Sequence, residues 1–188
     1  MSDLITRLLD RRFVRPPVQV EPAPVLRWAA VAVVLVPDPD SLLLVRRAER
    51  PGDPWSGQMA LPGGRREGEE DLLFTAIRET GEEVGLVLPP EALVGVLDDM
   101  APRTPVLPPI AVRPYVFRLP RRTPVERLSE EIAATHWVPL ANLLNEEFYA
   151  NADVMVRSQP LRVPAFRLEE GTVWGMTERI LSDLLLRT

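Results

Sequence analysis

The sequence predicts an α/β fold, a mixed β-sheet held between helices. Three observations predict it. Runs rich in aliphatic and β-branched residues lie on both sides of one strongly helical segment at about 69–84. A second helical segment closes the chain, and proline- and glycine-bearing stretches punctuate the rest. With 188 residues and 46% hydrophobic content, the chain suits one globular domain with a sizeable core.

Taken in order, residues 3–12 read as a short amphipathic helix with Leu4, Leu8 and Leu9 on one side. Residues 15–24 form a proline-rich arm that cannot continue it, so the main domain is expected over 25–188 and the arm over 1–24. Val25 to Val36 and Leu42 to Val45 are β-rich runs joined by the turn PDPDS. A loop from Arg46 to Leu61 leads to Pro62-Gly63-Gly64, read as a tight turn, and then to the long helix. Leu93–Leu97 and Ile110–Phe117 are further strands, split by the proline-laden stretch 101–109. Thr135–Val138 is another strand, and Pro139 to Leu144 starts a short helix. Phe166–Val173 reads as a last strand or hairpin, and Met176–Leu186 as a closing helix with Ile180, Leu184 and Leu185 inward.

Composition excludes much chemistry. The net charge of −5 argues against a general nucleic-acid binder. No cysteine is present, so disulfides and thiolate chemistry are excluded. All 22 basic residues are Arg, which removes Schiff-base and P-loop lysine chemistry but leaves many bidentate phosphate-binding forks. His136 is the only histidine and, within Thr135-His136-Trp137-Val138, reads as structural. The apolar run Trp28–Val36 is too short to span a bilayer and the N-terminus lacks a leader pattern, so a cytoplasmic location is expected by default. Carboxylates are the chemistry left.

They cluster on the long helix. Leu73, Ala76, Ile77, Thr80 and Val84 recur at steps of three or four and share one face, while Glu79, Glu82 and Glu83 crowd a neighbouring face. Three anions so close repel one another, and a hard divalent cation with oxygen ligands, magnesium or manganese, relieves the repulsion. Arg78 lies four before Glu82 and eight after Glu70, spaced to bridge carboxylates along the helix. Glu69, Glu70 and Asp71 are expected in its first turn, where negative charge complements the helix dipole. Gly85 reads as a left-handed cap, and the bare Gly63-Gly64 backbone can approach a ligand or offer a carbonyl to metal.

The positions Gly64, Glu70, Arg78, Glu79, Glu82, Glu83 and Gly85 resemble, in register, the Nudix box, Gly-x5-Glu-x7-Arg-Glu-(apolar)-x-Glu-Glu-x-Gly-(apolar). The resemblance implies the Nudix fold, an α/β/α sandwich with a mixed β-sheet between helices, and Mg2+ or Mn2+ held by Glu79, Glu82, Glu83 and the Gly63 or Gly64 carbonyl. It also implies a further carboxylate outside the helix as base or extra ligand, with Glu131 the first choice and Glu130 the second. Arg47, Arg50, Arg65 and Arg66 are the candidates for gripping substrate phosphates, and Glu70 and Arg78 for supporting the metal-binding carboxylates.

The resemblance extends further. Gly57 to Gly64, Ser129 to Ile132, His136 to Leu140, and Val173-Trp174-Gly175-Met176-Thr177-Glu178-Arg179-Ile180-Leu181 are similar to segments of the coenzyme A diphosphatases. It implies hydrolysis of coenzyme A or its acyl derivatives to 3′,5′-ADP and (acyl-)4′-phosphopantetheine, and makes a homodimer compatible. Three features depart from the pattern: Asp53 stands where that subfamily carries an Arg, the loop is one residue longer so that Arg50 does not stand in at that place, and Thr80 stands where the box is usually apolar. The alternative is a Nudix pyrophosphatase acting on ADP-ribose, nucleotide sugars, NADH or dinucleotide polyphosphates. A non-catalytic Nudix ligand-binding or interaction domain is a third reading, against which the three retained helix carboxylates stand. Trp55, Trp137, Trp174 and Tyr115 are read as core residues rather than base-stacking ones.

Overall fold

Strand β1 (Arg27–Val36) organises the molecule because it is buried on both faces. Ala29, Val31, Val33 and Leu35 point into one core, while Trp28, Ala30, Ala32, Val34 and Val36 point into another. That double burial is why its sequence reads as a continuous apolar run instead of an alternating one. The computed structural model describes residues 4–13, 27–51, 55–102, 109–125, 129–156 and 159–186.

Around β1 lie β2 (Ser41–Arg47), β3 (Met59–Ala60), β4 (Gly63–Arg65), β5 (Leu93–Val96), β6 (Ile110–Arg118) and β7 (Ile132–Pro139). They form a seven-stranded sheet in the order β3-β2-β1-β6-β5, with β4 also pairing β1 and β7 also pairing β2. β1 and β6 run parallel, from Arg27 opposite Ile110 to Leu35 opposite Arg118, and the other described pairs of this sheet are antiparallel. The sheet is therefore mixed, as the sequence predicts.

Helix α2 (Leu72–Val84) covers one face, burying Leu72, Thr75, Ala76, Thr80, Glu83 and Val84. Leu73 and Ile77 are only partly buried. On the other face lie α1 (Leu4–Arg12) and α4 (Gly175–Leu184), while α3 (Leu140–Leu144) follows β7 directly. A second, three-stranded antiparallel sheet, β8 (Tyr149–Val156), β9 (Gln159–Leu168) and β10 (Gly171–Trp174), carries Phe166, Leu168 and Val173 into the same core as α4.

Several expectations need correction. Glu69, Glu70 and Asp71 precede α2 and no acid occupies its first turn; Asp71 is the N-cap, its side chain accepting from Leu73 N–H at 2.8 Å. Gly63-Gly64 is not a free turn but part of β4, paired with Val31 and Ala30. Helix α1 buries Ile5, Leu8 and Arg12 instead of Leu4, Leu8 and Leu9. β8 was not anticipated, and β9 begins seven residues before the expected Phe166. The arm at 15–24, the beginning of the first expected strand and Asp53 lie outside the described residues, as does most of the proline stretch.

Candidate active site

The site grows from the contact between α2 and β4. Gly63 has φ 143°, a region closed to most L-residues, and a Cβ there would stand 2.3 Å from the Ala30 carbonyl oxygen. Gly64 has a different constraint: a Cβ would lie 2.4 Å from the Glu79 carboxyl carbon. The two glycines thus let β4 press against β1 on one side and against the Glu79 carboxylate on the other.

Glu83 is the most buried of the helix carboxylates, 5% exposed. Its Oε2 accepts a hydrogen bond from Gly63 N–H at 2.9 Å, and its own carbonyl accepts from Ser129 N–H at 2.9 Å. Burial pushes its pKa up to about 7; the Gly63 N–H opposes that shift, Glu79 and Glu131 add to it, and Arg47 opposes it. Burial likewise raises the pKa of Glu79, which lies 3.1 Å from Arg78 Nη1, while Glu82 and Glu131 push in the same direction as burial. Glu82 is different: its side chain is 59% exposed and it accepts from Arg78 Nη1 at 3.0 Å.

Arg78 gathers the cluster. It grips Glu70 with two bonds, Nε to Oε1 at 3.0 Å and Nη2 to Oε2 at 3.1 Å, and donates to the Arg65 carbonyl at 3.2 Å. The Arg78 hydrogen bonds hold the Glu70 carboxyl below its ordinary range, assisted by Thr75 Oγ1 at 2.8 Å.

Glu131 and the arginines complete the surroundings. Glu131 stands in the turn entering β7, which is tethered where its carbonyl accepts from Ala48 N–H at 2.7 Å. Its exposed carboxylate lies 3.4 Å from Arg50 Nη1, and its charge is felt at both Glu79 and Glu83. Glu130 is exposed in the same turn. Of the four candidate phosphate-binding arginines, Arg47 lines the adjoining cavity, whereas Arg65 is exposed on β4 and Arg66 is tied through its N–H to the Trp28 carbonyl at 2.9 Å. In this arrangement no three acidic or histidine side chains among the described residues lie close enough to share one ion. Glu79 and Glu83 meet at β4, while Glu82 and Glu131 approach from the rim.

The cavity has a volume of about 760 Å3 and runs from Gly63 and Arg47 to β9 and the first turn of α4. Trp55 and Trp174 line it, so these two indoles belong to a cavity wall and not to the core interior. Tyr115 is buried as expected, while Trp137 packs only partly buried against the α2 side of the core. His136 stands in β7 opposite Leu44, away from the cavity lining. Sequence reasoning missed Glu178, a cavity-lining carboxylate that is 5% exposed. Its spacing of four from Ser182 on a helix was the available signal.

A mixed sheet carrying a buried-carboxylate helix behind a glycine strand, beside a large cavity, defines an α/β protein with an acidic candidate site. The chain belongs to the Nudix hydrolase family: the family profile described as NUDIX domain matches residues 26–159. An uncharacterized Nudix hydrolase NudL of Cronobacter sakazakii is 34% identical over 164 residues, covering 86% of this chain and 82% of its own length. A protein of the same description from Salmonella paratyphi B is 35% identical over 165 residues, with the same coverage of 86% and 82%. Among solved structures, a MutT/nudix family protein from Enterococcus faecalis aligns with a TM-score of 0.59 at 17% identity, covering 99% of this chain and 69% of its own. The NUDIX domain of Shewanella oneidensis NrtR, solved with ADP ribose, aligns with a TM-score of 0.51 at 22% identity, covering 66% and 81%. The protein is thus an enzyme of a family whose members hydrolyse nucleoside diphosphate derivatives and generally use divalent metals such as Mg2+ or Mn2+. No helix among the described residues is long and apolar enough to cross a membrane.

Proposed function

We propose that this protein hydrolyses the phosphoanhydride of coenzyme A or an acyl-coenzyme A, giving 3′,5′-ADP and 4′-phosphopantetheine or its acyl derivative. The observation that carries the reading is the buried Glu83 carboxylate, held 2.9 Å from Gly63 N–H beside Glu79, with Gly63 itself lining a cavity of about 760 Å3. Such a cavity accommodates a nucleotide or its long arm beside the acidic cluster.

Mg2+ or Mn2+ fits the donor set. Glu79 and Glu83 are carboxylates whose pKa values are raised first by burial and then by neighbouring acids, and hard carboxylate and carbonyl oxygens of this kind suit such an ion. Glu79 and Glu83 with the Gly64 carbonyl are the ligands we assign where they stand, and Glu82, exposed at the rim and bonded to Arg78, would turn from that arginine to join them. A divalent ion bound there would supply charge neutralisation for the diphosphate oxygens and acidity for a bound water. Glu70 and Arg78 hold the helix carboxylates in orientation. Glu131 takes the proton of the attacking water, since it faces the cluster from a tethered turn and its field reaches both Glu79 and Glu83. Arg47 grips a phosphate at the cavity wall; Arg50 exchanges Glu131 for a second phosphate, and Arg65 and Arg66 extend the basic edge after Gly64. Residues 25–188 carry the catalytic site in this reading, α1 packs into the same core, and the proline-rich arm after it serves a homodimer.

The test is release of phosphorylated products from coenzyme A, acetyl-coenzyme A, ADP-ribose, NADH, a nucleotide sugar and a diadenosine polyphosphate, each with magnesium or manganese. Turnover of the coenzyme A compounds in preference to the rest is the expected result. Turnover of another member moves the substrate to the wider pyrophosphatase class, and turnover of none makes the domain a ligand-binding one.

A further inference from the structure

The segment Trp174-Gly175-Met176-Thr177-Glu178-Arg179-Ile180 has no part in the chemistry just derived, yet every one of its residues lines the cavity. Much of that wall is apolar, with Val31, Leu61, Val112, Leu161, Val163 and Ile180 contributing. Among the described lining residues Glu178 is the one carboxylate, and the two other charged side chains are Arg47 and Arg179. Arg179 donates to the Ala101 carbonyl at 2.6 Å.

Glu178 is 5% exposed, so its charge has lost most of its water. Two hydroxyls compensate, and both act on the same oxygen: Tyr149 Oη donates to Oε1 at 2.8 Å and Ser182 Oγ donates to Oε1 at 2.7 Å. No hydrogen bond among the described residues falls on Oε2. One oxygen of a desolvated carboxylate is therefore fixed by strand β8 and helix α4, and the other has acceptor capacity left in a cavity of low polarity. A carboxylate so held favours a hydrogen-bond donor, such as an N–H, and rejects groups that bring none.

We propose that Glu178 is a specificity-determining residue, accepting through Oε2 a hydrogen bond from an N–H group on the moiety of the diphosphate substrate that enters the cavity. Two sources share that chemistry: an amide in a mainly apolar arm, or the exocyclic amine of a base lying against Trp55 or Trp174. The inference rests on the diphosphatase reading for its substrate class, and its own test is binding.

The full-length protein and its Glu178→Ala, Glu178→Gln and Tyr149→Phe variants are titrated calorimetrically with 4′-phosphopantetheine, adenosine 3′,5′-bisphosphate and inorganic pyrophosphate. None of these probes requires turnover. KM and kcat for coenzyme A are measured in parallel, and circular dichroism melts check that each variant folds. Both Glu178 variants are expected to weaken a donor-bearing probe roughly 10- to 100-fold, the worth of a hydrogen bond to a charged group, while pyrophosphate binding is unchanged. KM for coenzyme A rises by a similar factor with kcat nearly constant. Tyr149→Phe keeps the charge but loosens its aim, and weakens the same probe a few-fold. Loss confined to 4′-phosphopantetheine assigns the donor to the amide arm, and loss confined to adenosine 3′,5′-bisphosphate assigns it to the base. Equal weakening of all three probes, unchanged affinities throughout, or no binding of the donor-bearing probes by the parent protein overturns the proposal. Binding without hydrolysis of any diphosphate removes the catalytic reading and leaves Glu178 judged on affinity alone.

Discussion

At Glu83 burial and ionisation are in conflict, and the conflict has a measurable sign. Its pKa is about 7 in the fold against 4.5 for the free side chain, so between those values the folded state binds the proton that the unfolded state has lost. Stability of the metal-free protein therefore falls as pH rises from 4.5 to 7, by roughly 3 kcal/mol at about 1.4 kcal/mol per unit. Glu83→Gln keeps an acceptor for Gly63 N–H, so it should flatten that slope in urea melts of metal-free protein and raise stability at pH 8. The same variant should lose most catalytic activity, measured with manganese and coenzyme A. Gly64→Ala is predicted to separate fold from activity differently. Its methyl meets the far end of the Glu79 side chain at 2.4 Å, which can swing away at little cost to the melting temperature. Displacing that carboxylate should cut turnover at least roughly tenfold. Much of this was legible at residue level, because the spacing from Gly64 to Gly85 identifies the helix carboxylates. Glu178 was not: its partner Tyr149 lies 29 positions away and reaches it through the fold.

Among the elements, α2 owes its orientation to Arg78 and Asp71. Arg78→Gln strips the counter-charge from Glu70 and Glu79, both mostly buried, and should cost roughly 1 to 3 kcal/mol in urea unfolding at neutral pH. Glu70 titrates in the opposite sense to Glu83. Its depressed pKa adds stability above pH 4.5 that is lost as pH falls through the folded value, and Arg78→Gln should remove that acid dependence. The N-terminus of α2 was misjudged by three residues because Glu69-Glu70-Asp71 carries helix-favouring charge. What decides the boundary is the Asp71 side chain bonding Leu73 N–H. The second sheet was hidden for another reason. β8 buries only Ala152, and the first six residues of β9 include no buried one, so neither strand carries an apolar period to read. β1 and β6 were legible because burial on both faces leaves long apolar runs.

For the molecule as a whole, α1 is fastened by a charged residue in an apolar setting. Arg12 is 1% exposed and pairs with Asp183 of α4 and, at 3.5 Å, with Asp98. The sequence offered no hint, since Arg12 ends a helix whose apolar face alone could be read. Asp183→Ala leaves most of that buried charge unmatched and should lower unfolding free energy by roughly 3 kcal/mol, read from chemical denaturation. The parallel pairing of β1 with β6 has a consequence for how the chain is made. Arg27 waits for Ile110, and α2 lies in the span between them. At ribosomal speeds of roughly 5 to 20 residues per second, the hydrogen-bonding rim of a very hydrophobic strand stays unclaimed for many seconds after synthesis. The acidic helix rests chiefly on β1 and β4, both of which leave the ribosome before it, so the catalytic corner can form on a half-built sheet whose other edge still waits for β6.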